Sequence, residues 1–454
     1  MGKLPHVLVV PAPAQSHVMS LMRLSHKLAD HGIKITFVNT DFIQSKVTVP
    51  MLRKGAEENS KIHLVSVPDG LEPDDDRRDV QKLSESILNV MPGHLENLIK
   101  RIKESNEDEE LTCIISDMTF WWPLKLAEKM GIRGAAFWPA AAGTLALSLH
   151  ISTLKEAGII DDNGTLTKNE MIQLSPTMPG ISTSELIWNC TADKNMQKVI
   201  FETAVNANQA IKACNWILCN TALQLEPWAS DLIPNIQPIG PLFCINCHDQ
   251  SACNFLQEDS TCMNWLDQQP LRSVIYVAFG SISSLNQQQF NELALGLEYV
   301  GRPFLWVVRP DFTNGLVTKY PDGFIANHGK IVTWAPQQKL LAHPSIACFL
   351  THCGWNSILD AVTMGVPFLC WPNQFDQFLH KNYICDVWKV GLALNPDGSG
   401  IVSGDQIRKK IDKLLRDEDI IANSFQFMEV ATKTINEGGT SFNNLGLFVE
   451  QIKQ

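Results

Sequence analysis

Short apolar runs that each lead through a loop into a helix recur in two separate stretches of the chain, and this rhythm admits few architectures. Val7–Val10 reads as a continuous apolar strand of the buried kind. The loop Pro11-Ala12-Pro13-Ala14-Gln15-Ser16 follows, then a helix carrying Leu21, Leu24 and Leu28 at helical spacing and stopping at Gly32. Ile33–Val38, Cys113–Ile115 and Ala135–Trp138 continue the series of strands. The rhythm restarts at Val274–Phe279, with a helix from Asn286 to Val300 and strands at Phe304–Val308, Ile331–Val332, Ala347–Leu350 and Val366–Cys370. Alternation of this kind builds parallel sheets with helices on both faces. The expected fold is α/β, with two doubly wound, Rossmann-like domains. Their boundaries are residues 1–240, an aperiodic linker at 241–265, and residues 266–454, whose last helix is free to pack back on the first domain. Ligands of such sheets bind beyond the carboxyl ends of the strands.

The 454 residues suit two domains of this type, and 45% hydrophobic against 19% charged residues excludes a mainly disordered chain. Lys and Arg number 37 against 48 Asp and Glu, a net charge of −11. That sign argues against nucleic acid as a partner and against a polybasic membrane anchor. Val7–Val10 is too short for a signal-peptide core, and His6 stands where a myristoylation signal needs Ser or Thr. The longest apolar stretch, Gly134 to Ile151, is broken by Pro139, Ser148 and His150, so a buried helix is expected there and no transmembrane segment. Twelve cysteines lie scattered, mostly in apolar runs, as free core thiols do. The expectation is a cytoplasmic monomer.

The segment Trp334 to Gln377 is the most informative. Its core, Thr351-His352-Cys353-Gly354-Trp355-Asn356-Ser357, follows a strand and opens a helix. A helix N-terminus offers unpaired N–H groups and the positive end of the helix dipole, both suited to a phosphate. Gly354 lets the backbone approach closely, and His352, Asn356 and Ser357 add donors. The residue pattern alone leaves an anion site and an ordinary Ser-capped helix open.

This 44-residue segment resembles the signature box of plant family 1 UDP-dependent glycosyltransferases. The resemblance rests on Trp334-Ala335-Pro336-Gln337, His343-Pro344, the His352–Ser357 core, Trp371-Pro372 and Asp376-Gln377. It extends along the chain through the N-terminal Pro-x-Pro-x-Gln-x-His pattern, Gly240-Pro241-Leu242, Trp265-Leu266-Asp267 and Phe279-Gly280-Ser281. It implies a GT-B fold, two domains facing each other across a cleft, with the acceptor pocket between them. It further implies Trp334 as the uracil platform, with Ala335 and Gln337 at the uracil edge and ribose. Ser281, His352, Gly354, Asn356 and Ser357 would bind the diphosphate, and Trp355, Asp376 and Gln377 the sugar. Asp360 stands where the family usually has the Glu that bonds the ribose, a carboxylate one methylene shorter, which points to weaker or water-bridged ribose binding. No cofactor or metal is implied, only UDP-glucose as co-substrate. Trp371 reads as core.

His17 begins a helix, so the helix dipole disfavours its protonated form. Asp117 ends a strand and could fix the imidazole tautomer, as the aspartate of a hydrolase triad does. Separately these two residues mean little; in the resemblance they match the catalytic pair. Ser16 departs from the Gly usual before that histidine. Phe120, Trp121, Trp122, Phe137 and Trp138 lie near strand ends; Phe120, Trp121 and Trp138, with Ser16, are the candidate acceptor wall, one or two of them reaching the pocket.

Four features take a plainer reading. Asp74-Asp75-Asp76 contains a DxD but lacks a preceding strand and reads as a solvated loop. Cys244-x2-Cys247-His248 offers one zinc-ligand pair, but Cys253 and Cys262 do not form a second CxxC, so free linker thiols are expected. Glu104 to Glu110 is an acidic loop, and Gly398-x-Gly400 fails as a dinucleotide fingerprint. The expected activity is transfer of glucose from UDP-glucose to a hydroxyl of a small apolar acceptor, flavonoid-like phenolics first and terpenoids next, giving a β-glucoside. The rival is a non-catalytic UDP-sugar or small-molecule binding protein of the same fold, which would have no need of His17 and Asp117.

Overall fold

The structure is a computed structural model that describes residues 4–52, 61–105, 109–191, 193–243, 258–310, 312–313 and 319–454. Its strands are β1 (Leu4–Val10), β2 (Lys34–Thr40), β3 (Ile62–Val67), β4 (Glu109–Asp117), β5 (Arg133–Trp138), β6 (Met171–Ile172), β7 (Ile181–Ser182), β8 (Trp216–Cys219) and β9 (Ile236–Pro238), followed by β10 (Val274–Ala278), β11 (Phe304–Val307), β12 (Gly329–Val332), β13 (Ile346–Thr351), β14 (Phe368–Cys370) and β15 (Gly391–Ala393). One sheet has the order β3-β2-β1-β4-β5-β8-β9 and a second the order β12-β11-β10-β13-β14-β15; β6 and β7 form a separate two-stranded ribbon. Every neighbouring pair in the two large sheets is parallel.

The unbroken apolar runs follow from burial on both faces. Val7 and Val9 point into one core with Ile35, Phe37, Ile115 and the helical Leu21, Leu24 and Leu28. Leu8 and Val10 point into the opposite core with Val38, Ile114, Leu95 and Ile99. In the second sheet Ile275 and Val277 bury against Leu293, Leu297, Ile407 and Ile411. Asn286 caps the helix Gln287–Val300 by accepting from the Gln289 amide, and Gly301 ends it in the left-handed region.

The chain divides into two compact units: Met1–Leu174, Ser182–Phe255 and Thr434–Gln454 form one, Ser175–Ile181 and Leu256–Lys433 the other. The sequence boundaries differ in two places. Residues 175–181 pass to the second unit, where Gly180 O accepts from Asn382 Nδ2 at 2.7 Å. Residues 434–454 pass to the first, because the terminal helix Thr440–Lys453 carries Leu445, Phe448, Val449 and Ile452 into the core of Val7 and Val9. Phe448 meets Trp216 edge to face at 5.2 Å, and Arg133 donates to the Gln451 carbonyl. Most of the expected linker, 244–257, lies outside the described residues.

The apolar stretch 134–151 is not one buried helix. Its first part is β5, which pairs with β4 and β8; Pro139 ends that strand, and a helix starts only at Ala142. Two backbone amides at that helix start, Ala142 and Gly143, donate to the buried Glu226 carboxylate at 2.7 and 2.9 Å. Among the described residues no helix is long and apolar enough to cross a membrane. Phe448→Ala should lower the stability of the first unit by about 3–5 kcal/mol, read as a lower denaturant midpoint by tryptophan fluorescence. An unchanged midpoint would mean that the terminal helix contributes nothing to that core.

Candidate active site

In the first sheet β1 sits between β2 and β4, so successive connections leave in opposite directions there, and the carboxyl ends of β1 and β4 open a crevice. Val10 pairs with Ser116, which sets the loop after β1 beside the end of β4. That loop leads into the helix Gln15–Asp30, with Ser16 and His17 in its first turn and no side chain capping it. His17 Nδ1 lies 2.6 Å from Asp117 Oδ2; the Asp117 side chain is fully buried and that of His17 about a quarter exposed. Asp117 Oδ1 accepts from the Thr119 amide at 2.9 Å and the Thr119 hydroxyl at 2.7 Å. An ionised carboxylate only accepts, so Nδ1 carries the proton and Nε2 the lone pair. This is the arrangement of a general base with its orienting acid.

The expected acceptor wall is only partly at the surface. Phe120 is buried against Trp122, with ring centroids 5.2 Å apart, and Trp138 is buried with its Nε1 donating to Ala141 O. Phe137 is fully buried. Phe137 belongs to one of the sheet's two apolar cores and Phe120 and Trp122 to the other, because both faces of the sheet must be covered. Trp121, which carries Lys125 over its ring at 4.6 Å, and Ser16 retain exposure.

The second sheet repeats the crevice, with β10 between β11 and β13. Ala278 pairs with Thr351, so Gly280-Ser281 and His352-Cys353-Gly354 leave neighbouring strand ends. Gly280 adopts φ +66°, and a Cβ on either Gly280 or Gly354 would stand 2.5 Å from His352 Nε2; the glycines make room for that ring. The helix Trp355–Thr363 has Gly354 as its cap, with no side-chain bond to it. The residue at the cap is thus a glycine and not a serine, and Ser357 lies inside the helix. Cys353 holds φ +68°, with His380 Nδ1 at 2.9 Å from its carbonyl and Thr351 Oγ1 accepting from its amide.

Burial first, and the Arg309 guanidinium beside it, push the His352 imidazole down to about 3, against a bond to the Ala278 backbone that works the other way. His352 is therefore a neutral hydrogen-bonding group. The buried Arg309 side chain donates to the carbonyls of Gly280 and Ser283, the second at 3.0 Å, and so fixes the loop that carries Ser281.

Gln337, Ser357 and Asp360 come together. Gln337 Nε2 donates to Ser357 Oγ at 3.1 Å and to Asp360 Oδ2 at 3.0 Å, and Gln338 Nε2 donates to Asp360 Oδ1 at 2.6 Å. Trp334 is half-buried, while Ala335 is buried. Asn356 is half-buried beside Ser357 in the first helical turn.

Trp355, expected at the sugar, turns inward and packs against His380, Tyr383 and Trp388, its ring 4.9 Å from that of His380. Asp376 is half-buried, 3.7 Å from His380 Nε2. Gln377 is buried; its Oε1 accepts from the Asn373 and Gln374 amides, and its Nε2 lies 3.5 Å from Ser283 Oγ. Trp371 lies in the core against Phe279.

The DxD segment does follow a strand, β3, whose mixed polarity hid it from the sequence reading, but it lies seven residues beyond that strand's end in an irregular loop, where Asp75 and Asp76 pair with Lys82 and Arg78. Of the cysteine group only Cys262 is described, buried in the helix Thr261–Leu266; Cys244, Cys247, His248 and Cys253 lie outside the described residues, as do 106–108 of the acidic run. Sequence reasoning missed Thr119, Arg309, Gln338 and His380. Only Thr119 carried a local signal, as Asp-x-Thr favours a side-chain-closed turn; the other three act across strands or helices.

His352 should remain neutral down to about pH 5, because its folded value is about 3 whereas an unfolded chain takes up the proton below about 6.5. Stability drawn from this residue consequently falls as pH drops through that window. Nitrogen-15 NMR of the labelled imidazole reads this directly, and a protonated ring at pH 6 would contradict it.

A family model described as UDP-glucoronosyl and UDP-glucosyl transferase matches residues 184–424. UDP-glycosyltransferase 83A1 of Arabidopsis thaliana is 41% identical over 461 residues, covering all of this chain and 97% of its own length. Linamarin synthase 1 of Manihot esculenta is 30% identical over 482 residues, with 99% of this chain and 97% of that protein covered. Among solved structures, a UDP-glucosyltransferase from Polygonum tinctorium capable of glucosylating indoxyl, bound to 3,4-dichloroaniline, aligns with a TM-score of 0.84 at 25% identity over the whole of both chains. Phytolacca americana UGT2 with UDP-2-fluoro-glucose and pterostilbene aligns with a TM-score of 0.82 at 25% identity over 99% of each. Two Rossmann-like domains of GT-B type and relatives matched along their full length lead to one conclusion: the chain belongs to the plant family 1 UDP-glycosyltransferases, enzymes that move a sugar from a UDP-sugar to a small acceptor.

Proposed function

We propose that this enzyme transfers glucose from UDP-glucose to a hydroxyl of a small, largely apolar acceptor, flavonoid-like phenolics first and terpenoids next, with inversion to a β-glucoside. The observation that carries the reading is the 2.6 Å contact between His17 Nδ1 and the fully buried Asp117 carboxylate. His17 Nε2 removes the acceptor proton as the oxygen attacks the anomeric carbon from the face opposite UDP. The bond from that carbon to the diphosphate oxygen breaks, and UDP leaves with the electron pair. The proton stays on His17, and Asp117, held by Thr119, stabilises the imidazolium.

Trp334 stacks on uracil, and Gln337 with Asp360 meets the ribose. Ser281, His352, Asn356, Ser357 and the Gly354 helix start receive the diphosphate, whose developing charge needs no metal there. Asp376 and Gln377 take the sugar hydroxyls, Gln377 through its amide, since its carbonyl oxygen holds the Asn373–Gln374 backbone. Glucose as the sugar is supported by Gln377, which in the family usually accompanies it, and by UDP-2-fluoro-glucose in the P. americana relative. Nine free cysteines among the described residues suit a reducing, cytoplasmic setting.

Incubation with UDP-glucose and a mixed phenolic and terpenoid library should give products heavier by one hexose. His17→Ala should cut that transfer by about 10²–10⁴-fold while UDP binding by calorimetry persists. Undiminished transfer by the variant would overturn the base assignment.

A further inference from the structure

Asp360 is 2% exposed and Gln338 4% exposed, and Gln338 Nε2 lies 2.6 Å from Asp360 Oδ1. The amide must present nitrogen to that oxygen, because an ionised carboxylate offers no proton. Gln337 Nε2 takes the other oxygen, Oδ2, at 3.0 Å and is shared with Ser357 Oγ. Two amides one residue apart, both in the short helix Gln337–Leu341, therefore grip opposite oxygens of one carboxylate on the facing helix Trp355–Thr363. Such a grip fixes the rotation of the carboxylate about its Cβ–Cγ bond. Asp360 has one methylene fewer than Glu, so it cannot compensate for a wrong rotation by reach.

We propose that Gln338 is a positioning residue for the nucleotide ribose: its amide fixes the Asp360 carboxylate so that this short side chain recognises the ribose hydroxyls. This rests on the reading of Asp360 as the ribose-binding carboxylate. Without the amide, the carboxylate turns both oxygens toward Gln337, and the ribose loses its acceptor. The bond to a charged group is of the stronger kind, and its loss is felt only by a ligand that carries the hydroxyls.

The test compares affinities for UDP and its 2′,3′-dideoxy analogue by calorimetry on the full-length protein. Wild type should prefer UDP. Gln338→Leu should shrink that preference roughly tenfold, with the dideoxy affinity unchanged. Gln338→Asn withdraws the amide by one methylene without removing it and should act in the same direction if Gln338→Leu fails to fold. Asp360→Glu placed on Gln338→Leu should restore the preference, because the longer side chain reaches without support. A Gln338 variant that keeps the wild-type preference, or that loses UDP and dideoxy affinity equally, overturns the inference. Asp360→Ala separates the two levels. If it abolishes the preference while the Gln338 variants keep it, only the positioning role falls. If it leaves the preference intact, the ribose reading falls and the inference with it.

Discussion

The reversal of strand order beside the first strand of each sheet is the constraint on which everything else depends. β1 pairs on one side with β2 and on the other with β4, and β10 likewise with β11 and β13. A parallel sheet cannot reverse order without parting two loops at its carboxyl edge, and side chains from elements distant in sequence then meet across the gap. His17 and Asp117, a hundred residues apart, meet at the first reversal. Gly280, His352 and Gly354 meet at the second. The two apolar cores of the first sheet hold that geometry rigid, and the terminal helix, carrying Phe448 into one of them, completes it.

The second consequence concerns charge. A chain of net −11 that takes a UDP-sugar must still accept a diphosphate, and the proposed site would do so without a protonated histidine. His352 is kept neutral by burial and by Arg309, and it contributes a ring nitrogen wedged against two glycines. Arg309 acts from below the loop through the carbonyls of Gly280 and Ser283. The start of the helix Trp355–Thr363, with glycine as its cap, supplies oriented N–H groups. In the proposed site, local dipoles and donors take the part that bulk charge cannot.

Much of this was legible in the residues. Buried parallel strands announce themselves as unbroken apolar runs, so Val7–Val10 and Ala347–Leu350 were visible as strands, each a little shorter than β1 and β13. The segment from Trp334 to Gln377, to which donor binding is assigned by proposal, stood out because its residues are local in sequence and fixed in spacing. Three things were hidden. β3, β8 and β9 are too short or too mixed in polarity to show a period. The direction of Trp355 depends on His380, Tyr383 and Trp388, which follow more than twenty residues later. The grip of Gln338 on Asp360 joins two helices and leaves no mark in either one's pattern.

The central claim is that a single base, His17, oriented by buried Asp117, drives one direct displacement on the donor. The anomeric configuration of the first-formed product tests it most directly, read by proton NMR of the glycoside made from the α-linked donor. The account predicts a β-glycoside, with the large anomeric coupling of a trans-diaxial pair. An α-glycoside would contradict it, since retention requires either a second displacement or attack from the face that UDP occupies.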